Sequence, residues 1–228
     1  MASRRPGGCA TIVAFDELKH LVLAELEFDP EVDASMIGVT AVDGVVTLTG
    51  HVANYAEKWT AEKIAKRVLG VKAVANEIEV ALDLDDTRDD TDIVRSAVNA
   101  LTWNASVPNG HVKPVVTHGW IALEGQVEWN FQKRAAEDAV KNLRGIRGVT
   151  NEIVVTPHAH AGDVKQKIEA AFRRSAEIDS HNIVVETTDS SVTLRGVVRS
   201  WAEHEDALNA AWAAPGVTRV LDRISIRV

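Results

Sequence analysis

The chain has 228 residues, enough for one large domain or for two to four small ones. Its formal net charge of −8 argues against a general nucleic-acid-binding protein, and no apolar run approaches the roughly 20 residues that span a bilayer. The single cysteine, Cys9, excludes an internal disulfide and a cysteine-based metal site.

The N-terminal segment lacks the pattern of an export signal. Asp16, Glu17 and Lys19 interrupt the only apolar stretch near it. We therefore expect a cytoplasmic protein, or a periplasmic one if an export signal has been removed.

The first predicted element is a helix, followed by two strands. The apolar residues of the helix recur at helical spacing, at Leu18, Val22 and Leu26. Asp43 and Gly44 separate the strands and suit a tight hairpin, because glycine accepts positive φ at little cost. In the second strand the apolar residues occupy alternate positions, which predicts one face on the core.

A second helix and a third strand complete the first unit. Asn54 followed by Glu57 predicts a capping box at the start of the helix. The apolar face of the helix then holds Ala61, Ile64, Ala65 and Val68. The closing strand carries Ile78 and Val80, so the predicted order of elements is α-β-β-α-β.

The same unit occurs three times along the chain. Residues 44–50 recur as 119–125 and again as 190–196, at offsets of 75 and 71 residues, and Gly70 returns as Gly145 and Gly216. The sequence therefore predicts an α+β protein of three tandem modules, at 12–82, 91–156 and 162–228. Each module is a small three-stranded mixed sheet with two helices on one face.

Two local differences between the copies carry predictions of their own. In the third copy Ser190 stands at the position of the turn glycines Gly44 and Gly119, so we expect a looser or longer hairpin there. Trp103 aligns with Phe28 at the end of the first helix, and we therefore expect Trp103 to lie in the core.

The pattern resembles the BON domain, a bacterial module of osmotic-stress and outer-membrane-associated proteins. The features that carry the resemblance are the glycine-bounded strand, the Ala-rich second helix and the closing run of glycine, valine and asparagine at 70–76 and 145–151. The resemblance implies binding of phospholipid or of a hydrophobic envelope component. It also implies no enzymatic chemistry and no cofactor.

The second module is the best candidate for a binding surface, because it combines aromatic residues with a net positive charge. Residues 93–156 carry seven basic and five acidic side chains. The candidate ligand- or membrane-binding residues are Trp120, Trp129, Phe131, Lys133 and Arg134. Indole rings with basic neighbours favour an anionic membrane surface, which is the partner that we expect.

Other functions remain open. The same aromatic residues would suit a protein-interaction scaffold whose modules pack into a rigid or oligomeric platform, including a homo-oligomer. His158 and His160 offer two metal ligands without a third, so we expect no metal site. The histidines form no recurrent pattern with an acid and a nucleophile, so we expect no hydrolytic triad and no enzyme.

Overall fold

The computed structural model describes residues 9–82, 87–156, 164–175 and 182–227, with side chains from Glu17 onward. Module 1 comprises α1 (Cys9–Phe28), a 3₁₀ turn (Ala34–Met36), β1 (Ile37–Val42), β2 (Val45–Val52), α2 (Tyr55–Arg67) and β3 (Ala73–Val80). It forms one compact unit that ends at Ala81, and residues from Leu82 to Arg227 form a second.

The second compact unit contains the other two modules. Module 2 comprises α3 (Asp90–Trp103), β4 (Val112–Thr117), β5 (Trp120–Val127), α4 (Asn130–Val140), β6 (Gly148–Asn151) and β7 (Val154–Val155). Module 3 comprises α5 (Val164–Arg174), β8 (Ile183–Thr188), β9 (Ser191–Val198), α6 (Trp201–Trp212) and β10 (Arg219–Ile226).

Each module has the predicted α-β-β-α-β order, and the predicted fold class is confirmed. The second strand is central in every sheet: it pairs antiparallel with the first strand and parallel with the third. In module 2 the third strand is interrupted after Asn151, and β6 and β7 both pair with β5. The first strand is an edge in each sheet, and in module 2 this edge strand contains Pro114.

Most of the predicted core positions are buried, whereas Leu18, Val68 and Val80 are partly buried and pack against the core of module 1. Val46 and Leu48 of β2 have no exposed surface, and neither do Ile121 and Leu123 of β5. The helices contribute the other side of each core, with Ile93, Ala97 and Leu101 from α3 as the expected i, i+4 series. The residues between these strand positions point away from the core.

The glycine that closes each copy of the strand motif has a steric reason. Gly50, Gly125 and Gly196 all have positive φ, at 111°, 138° and 152°. A Cβ built on any of the three would lie 2.0 Å from a carbonyl oxygen at the start of the first strand. The motif ends in glycine because the backbone of the neighbouring strand fills the space of a side chain.

The hairpin of the third copy corrects one expectation. Two residues separate the strands there as in the other copies, since Thr188 pairs with Ser191 just as Val42 pairs with Val45. Asp189 takes φ of 52°, which gives it the conformation of Asp43, whereas Ser190 has no positive φ. The turn is therefore not longer, because Asp189 alone supplies its left-handed residue.

Candidate functional site

Among the described residues, the most exposed aromatic residues lie at the end of the first helix of modules 1 and 2, contrary to the core position expected for Trp103. Trp103 is 87% exposed and Phe28 is 84% exposed. Trp103 follows the buried Leu101 by two residues, about 200° around the helix, so its side chain points away from the core. Both residues are therefore available to contact a partner.

The helix layer of module 2 carries two exposed aromatic residues, Trp103 at the end of α3 and Phe131 near the start of α4. The side-chain amide of Asn104 donates to the carbonyl of Ala135 at 3.3 Å, which holds the end of α3 against α4. Phe131 lies one turn before Ala135 on α4 and is 56% exposed. We call Trp103 and Phe131 the helix-face aromatic pair.

Trp129 occupies the cap position of α4 and is half-buried. An indole ring has no acceptor for a backbone N–H, and its side chain makes no cap hydrogen bond. Gln132 compensates in part, because its Oε1 accepts hydrogen bonds from the backbone N–H groups of Glu128 and Trp129, each at 3.0 Å. In the sister helices, Asn54 and Ser200 cap by accepting from the N–H groups of Glu57 and Glu203. Each glutamate accepts in return from the N–H of the residue before the cap.

Lys133 has a structural partner. Its Nζ donates to the carbonyl oxygen of Ile153 at 2.8 Å. Asn151 donates from Nδ2 to the carbonyl of Lys133 at 2.9 Å and to Glu137 Oε2 at 3.0 Å. Its Oδ1 accepts from the Ile153 N–H at 3.3 Å. We call Lys133, Glu137 and Asn151 the polar clasp, because they join α4 to the third strand.

Module 1 contains the same clasp in Lys58, Glu62 and Asn76. Lys58 Nζ donates to the carbonyl of Ile78 at 2.6 Å, and Asn76 bridges the Lys58 carbonyl and Glu62. Burial is the largest influence on the pKa of Glu62 and raises it, but hydrogen bonds from Lys66 and Asn76 outweigh burial. The pKa of Glu62 is lowered overall, so this carboxyl stays ionised beside the lysine.

Module 3 replaces this chemistry. His204 stands at the lysine position, Asp222 at the asparagine position and Leu208 at the glutamate position. The Nε2 of the buried His204 lies 2.7 Å from Asp222 Oδ2, and Asp222 Oδ1 accepts from the Ile224 N–H at 3.0 Å. The helix is still joined to the third strand, but by one direct contact between side chains.

The remaining candidate on α4, Arg134, contacts module 3. Its guanidinium donates a hydrogen bond to the side-chain oxygen of Asn209 on α6. Lys141, the cap residue at the C-terminal end of α4, pairs with Asp138 at 2.6 Å. Lys133, Arg134 and Lys141 therefore all have partners, and of these three Arg134 is the exposed one.

Trp120 does not join the helix-face aromatic pair. It precedes the buried Ile121 on β5, so its side chain points to the face of the sheet that is opposite to the core. Its ring lies across Gly148 on the neighbouring strand, where a Cβ would be 2.1 Å from Cζ3 of the indole. The five predicted residues therefore do not form one surface. Phe131 and Arg134 are exposed on α4, and Trp120 is exposed on the outer face of the sheet. Trp129 and Lys133 are partly buried.

An acidic residue orders the hairpin beside Trp120. The side chain of Asp90 accepts from the backbone N–H groups of His118 at 2.8 Å and Gly119 at 2.9 Å. The hydrogen bond from Gly119, followed by that from His118, lowers the pKa of Asp90 below its ordinary value of 3.8. Asp90 is thus ionised at neutral pH and fixes the turn where β5 begins.

This lowered pKa predicts an acid-induced loosening of the turn. The contribution of Asp90 to stability is present above pH 3.8 and is lost as the pH falls through the lowered folded-state pKa. We expect the amides of His118 and Gly119 to lose protection from hydrogen exchange in that range. In Asp90→Asn these amides should exchange faster at neutral pH and change little on acidification. Unchanged protection in the variant would contradict this role.

Neither a metal cluster nor a membrane-spanning helix is present in the described ranges. Among those residues no group of three or more histidine, cysteine or acidic side chains is close enough to hold a metal ion. None of the described helices is long and apolar enough to cross a membrane. His158 and His160 lie outside the described residues.

Comparison with known proteins finds one family repeatedly. The model of the BON domain matches residues 16–81, 89–157 and 160–228. The osmotically-inducible protein Y of Escherichia coli strain K12 is 30% identical over 136 residues, which is 58% of this chain and 68% of that protein.

Solved structures of CdsD, a structural protein of the type III secretion system of Chlamydia trachomatis, also align with the chain. One has 14% sequence identity and a TM-score of 0.26, with 92% of both chains covered. A second structure, of the C-terminal domain of CdsD, has 15% identity and a TM-score of 0.25, with 93% of this chain and 98% of that chain covered.

Proposed function

Because the chain belongs to the BON domain family over three consecutive segments, we propose that it is a non-enzymatic binding protein of the osmotic-stress response at the cell envelope. The name of the Escherichia coli relative, an osmotically-inducible protein, supports the link to osmotic stress. Neither the family nor this relative supports the predicted cytoplasmic location. The periplasmic alternative agrees better with an envelope protein.

The proposed ligand is an anionic lipid surface, bound by the helix layer of module 2. The observation that carries this proposal is the exposure of Trp103 in the module whose residues 93–156 are net basic. Phe131 adds a second exposed ring on the same layer, and Arg134 adds a positive charge on α4. Insertion of the two rings at the lipid interface, with weak basic attraction, would hold the protein at the surface.

Replacement of both members of the helix-face aromatic pair by alanine should weaken binding to anionic vesicles about 10-fold. The reason is the loss of the apolar area that would enter the interface. The measurement is co-sedimentation of the full-length protein with phosphatidylglycerol vesicles and with neutral vesicles, at low and moderate salt. Binding of the unchanged protein should favour the anionic vesicles and decrease with salt.

The chain offers a matched control in Phe28→Ala. Phe28 occupies the position of Trp103 in module 1 and is equally exposed, but residues 12–85 carry six basic and fourteen acidic side chains. This variant should bind anionic vesicles as the unchanged protein does. Equal losses in Phe28→Ala and in the double variant, or no vesicle binding at all, would refute the lipid proposal.

A protein-interaction scaffold is the second candidate. The hydrogen bond between Arg134 and Asn209 links modules 2 and 3, as expected for modules that present a combined surface. Under this alternative, Trp103 and Phe131 would lie in a contact between protein chains. Sedimentation velocity over a range of concentrations distinguishes the two candidates. If the unchanged protein self-associates but does not bind vesicles, and the Trp103 and Phe131 double variant does not self-associate, the scaffold is favoured.

A further inference from the structure

A cleft lies at the end of the module 2 sheet where β5 and β6 begin. Its volume is about 530 Å³, within the range of small-molecule sites. The side chains that give it chemical character are those of Arg88, Asp90, His118, Trp120 and Arg147. This cleft is separate from the helix-face aromatic pair, and neither Trp103 nor Phe131 lines it.

Trp120 provides a flat aromatic wall in this cleft. Gly148 on the neighbouring strand allows the indole to lie against the backbone, since any side chain at that position would overlap the ring. Trp120 is 51% exposed, so part of its side chain is accessible to a ligand. An indole face held in this way attracts cations through the quadrupole of the ring.

A negative and a positive side chain, Asp90 and Arg147, both approach Gly119, the residue before Trp120. The backbone N–H of Gly119 donates to Asp90 at 2.9 Å, so the carboxylate is anchored beside the start of β5. The side chain of Arg147, the residue before β6, crosses Gly119, with its Cγ 3.3 Å from the position of a Cβ on that glycine. The guanidinium of Arg147 has no ion-pair or hydrogen-bond partner among the described residues.

The sister modules lack this combination. Val45 and Lys72 occupy the positions of Trp120 and Arg147 in module 1, and Ser191 and Thr218 occupy them in module 3. The position of Gly148 is Ala73 in module 1 and Arg219 in module 3, so neither sister strand leaves room for a flat ring. The cleft is therefore a feature of module 2 and not a consequence of the shared fold.

We propose that this cleft binds a small zwitterion that carries a quaternary ammonium group and an anionic group. The ammonium would lie on the exposed face of Trp120, close to the carboxylate of Asp90. The anionic group would pair with the free guanidinium of Arg147. The two arginines of the lining, Arg88 and Arg147, balance the charges of Asp89 and Asp90, so the cleft complements a ligand with both signs better than a simple ion.

The test is calorimetric titration of the full-length protein with glycine betaine, choline and acetate. Betaine should bind saturably with a dissociation constant on the order of 1 mM, and choline and acetate should each bind about 10-fold more weakly. Trp120→Val should weaken betaine binding about 10-fold. Arg147→Thr should weaken the binding of betaine but not that of choline. Both substitutions introduce residues found at the same positions of sister modules, and urea unfolding verifies that the variants are folded.

Phe131→Ala is the control that separates this proposal from the lipid surface of the helices. It should reduce vesicle binding and leave betaine binding unchanged. Absence of saturable betaine binding up to about 50 mM, or equal affinity in Trp120→Val, would overturn the proposal.

The same chemistry occurs in free solutes and in the phosphocholine headgroup of lipids. A second set of measurements with phosphatidylcholine vesicles distinguishes these sources. Sedimentation with such vesicles that is lost in Trp120→Val would identify the lipid headgroup as the ligand. Binding of betaine without sedimentation would identify a free solute.

Discussion

Replacement of Gly125 by alanine should destabilise module 2 by about 3 to 5 kcal/mol, the largest effect that we expect from one methyl group. Two causes act together at this position. The φ of 138° is strained for any residue with a side chain, and the new Cβ would lie 2.0 Å from the carbonyl oxygen of His111. Relief of the overlap would require β4 to separate from β5, and this pair forms the hairpin of the module.

Gly110→Ala is the matched control, because Gly110 also has positive φ, at 77°, but nothing lies within 4 Å of its Cβ position. It should lose only about 1 kcal/mol, the conformational part of the effect. Urea unfolding followed by circular dichroism compares the two variants. Equal decreases in the free energy of unfolding would show that glycine is required at position 125 by its φ and not by the approach of the neighbouring strand.

Replacement of Asn151 by alanine should destabilise module 2 by about 2 to 3 kcal/mol. The side chain makes hydrogen bonds to Lys133, Glu137 and Ile153, and its removal leaves part-buried groups of the polar clasp without partners. The measurement is the free energy of unfolding in urea. Vesicle binding by the folded variant should be unchanged, because none of these groups belongs to the helix-face aromatic pair.

Asn99→Ala serves as the comparison, since Asn99 is an exposed residue in the interior of α3. It should change the stability by less than about 0.5 kcal/mol. If Asn151→Ala had an effect equally small, the polar clasp would contribute little, and Lys133 would again be available as a lipid-binding residue.

The fold could be predicted from the sequence because each signal occurred three times. A single alternation such as Val46 and Leu48 is compatible with many folds, but its return at fixed offsets with the same glycines defines a module. The steric cause of the final glycine could not be predicted. Any glycine in a sequence suggests a positive φ. The approach of the His111 carbonyl to Gly125, however, depends on the register between β4 and β5, which only the structure gives.

The candidate site was predicted less well, for two physical reasons. Trp103 was assigned to the core because it aligns with Phe28 at the end of the first helix, although its spacing from Leu101 already placed it on the opposite side of the helix. Lys133 was assigned to the surface because of its charge. Its counterpart Lys58 lies at the same offset, with Asn76 and Asn151 in register, and this repetition of polar residues was the available sign of a structural role.

Pro114 has a consequence for how this protein behaves when it is concentrated or partly unfolded. An unpaired edge strand can accept a strand from another chain, and this is the usual starting point of aggregation. Proline has no N–H to offer to an incoming strand, so β4 is protected along its free edge. The corresponding edges β1 and β8 contain no proline. Among these first-strand edges, pairing with another chain should therefore begin at β1 and β8 rather than at β4.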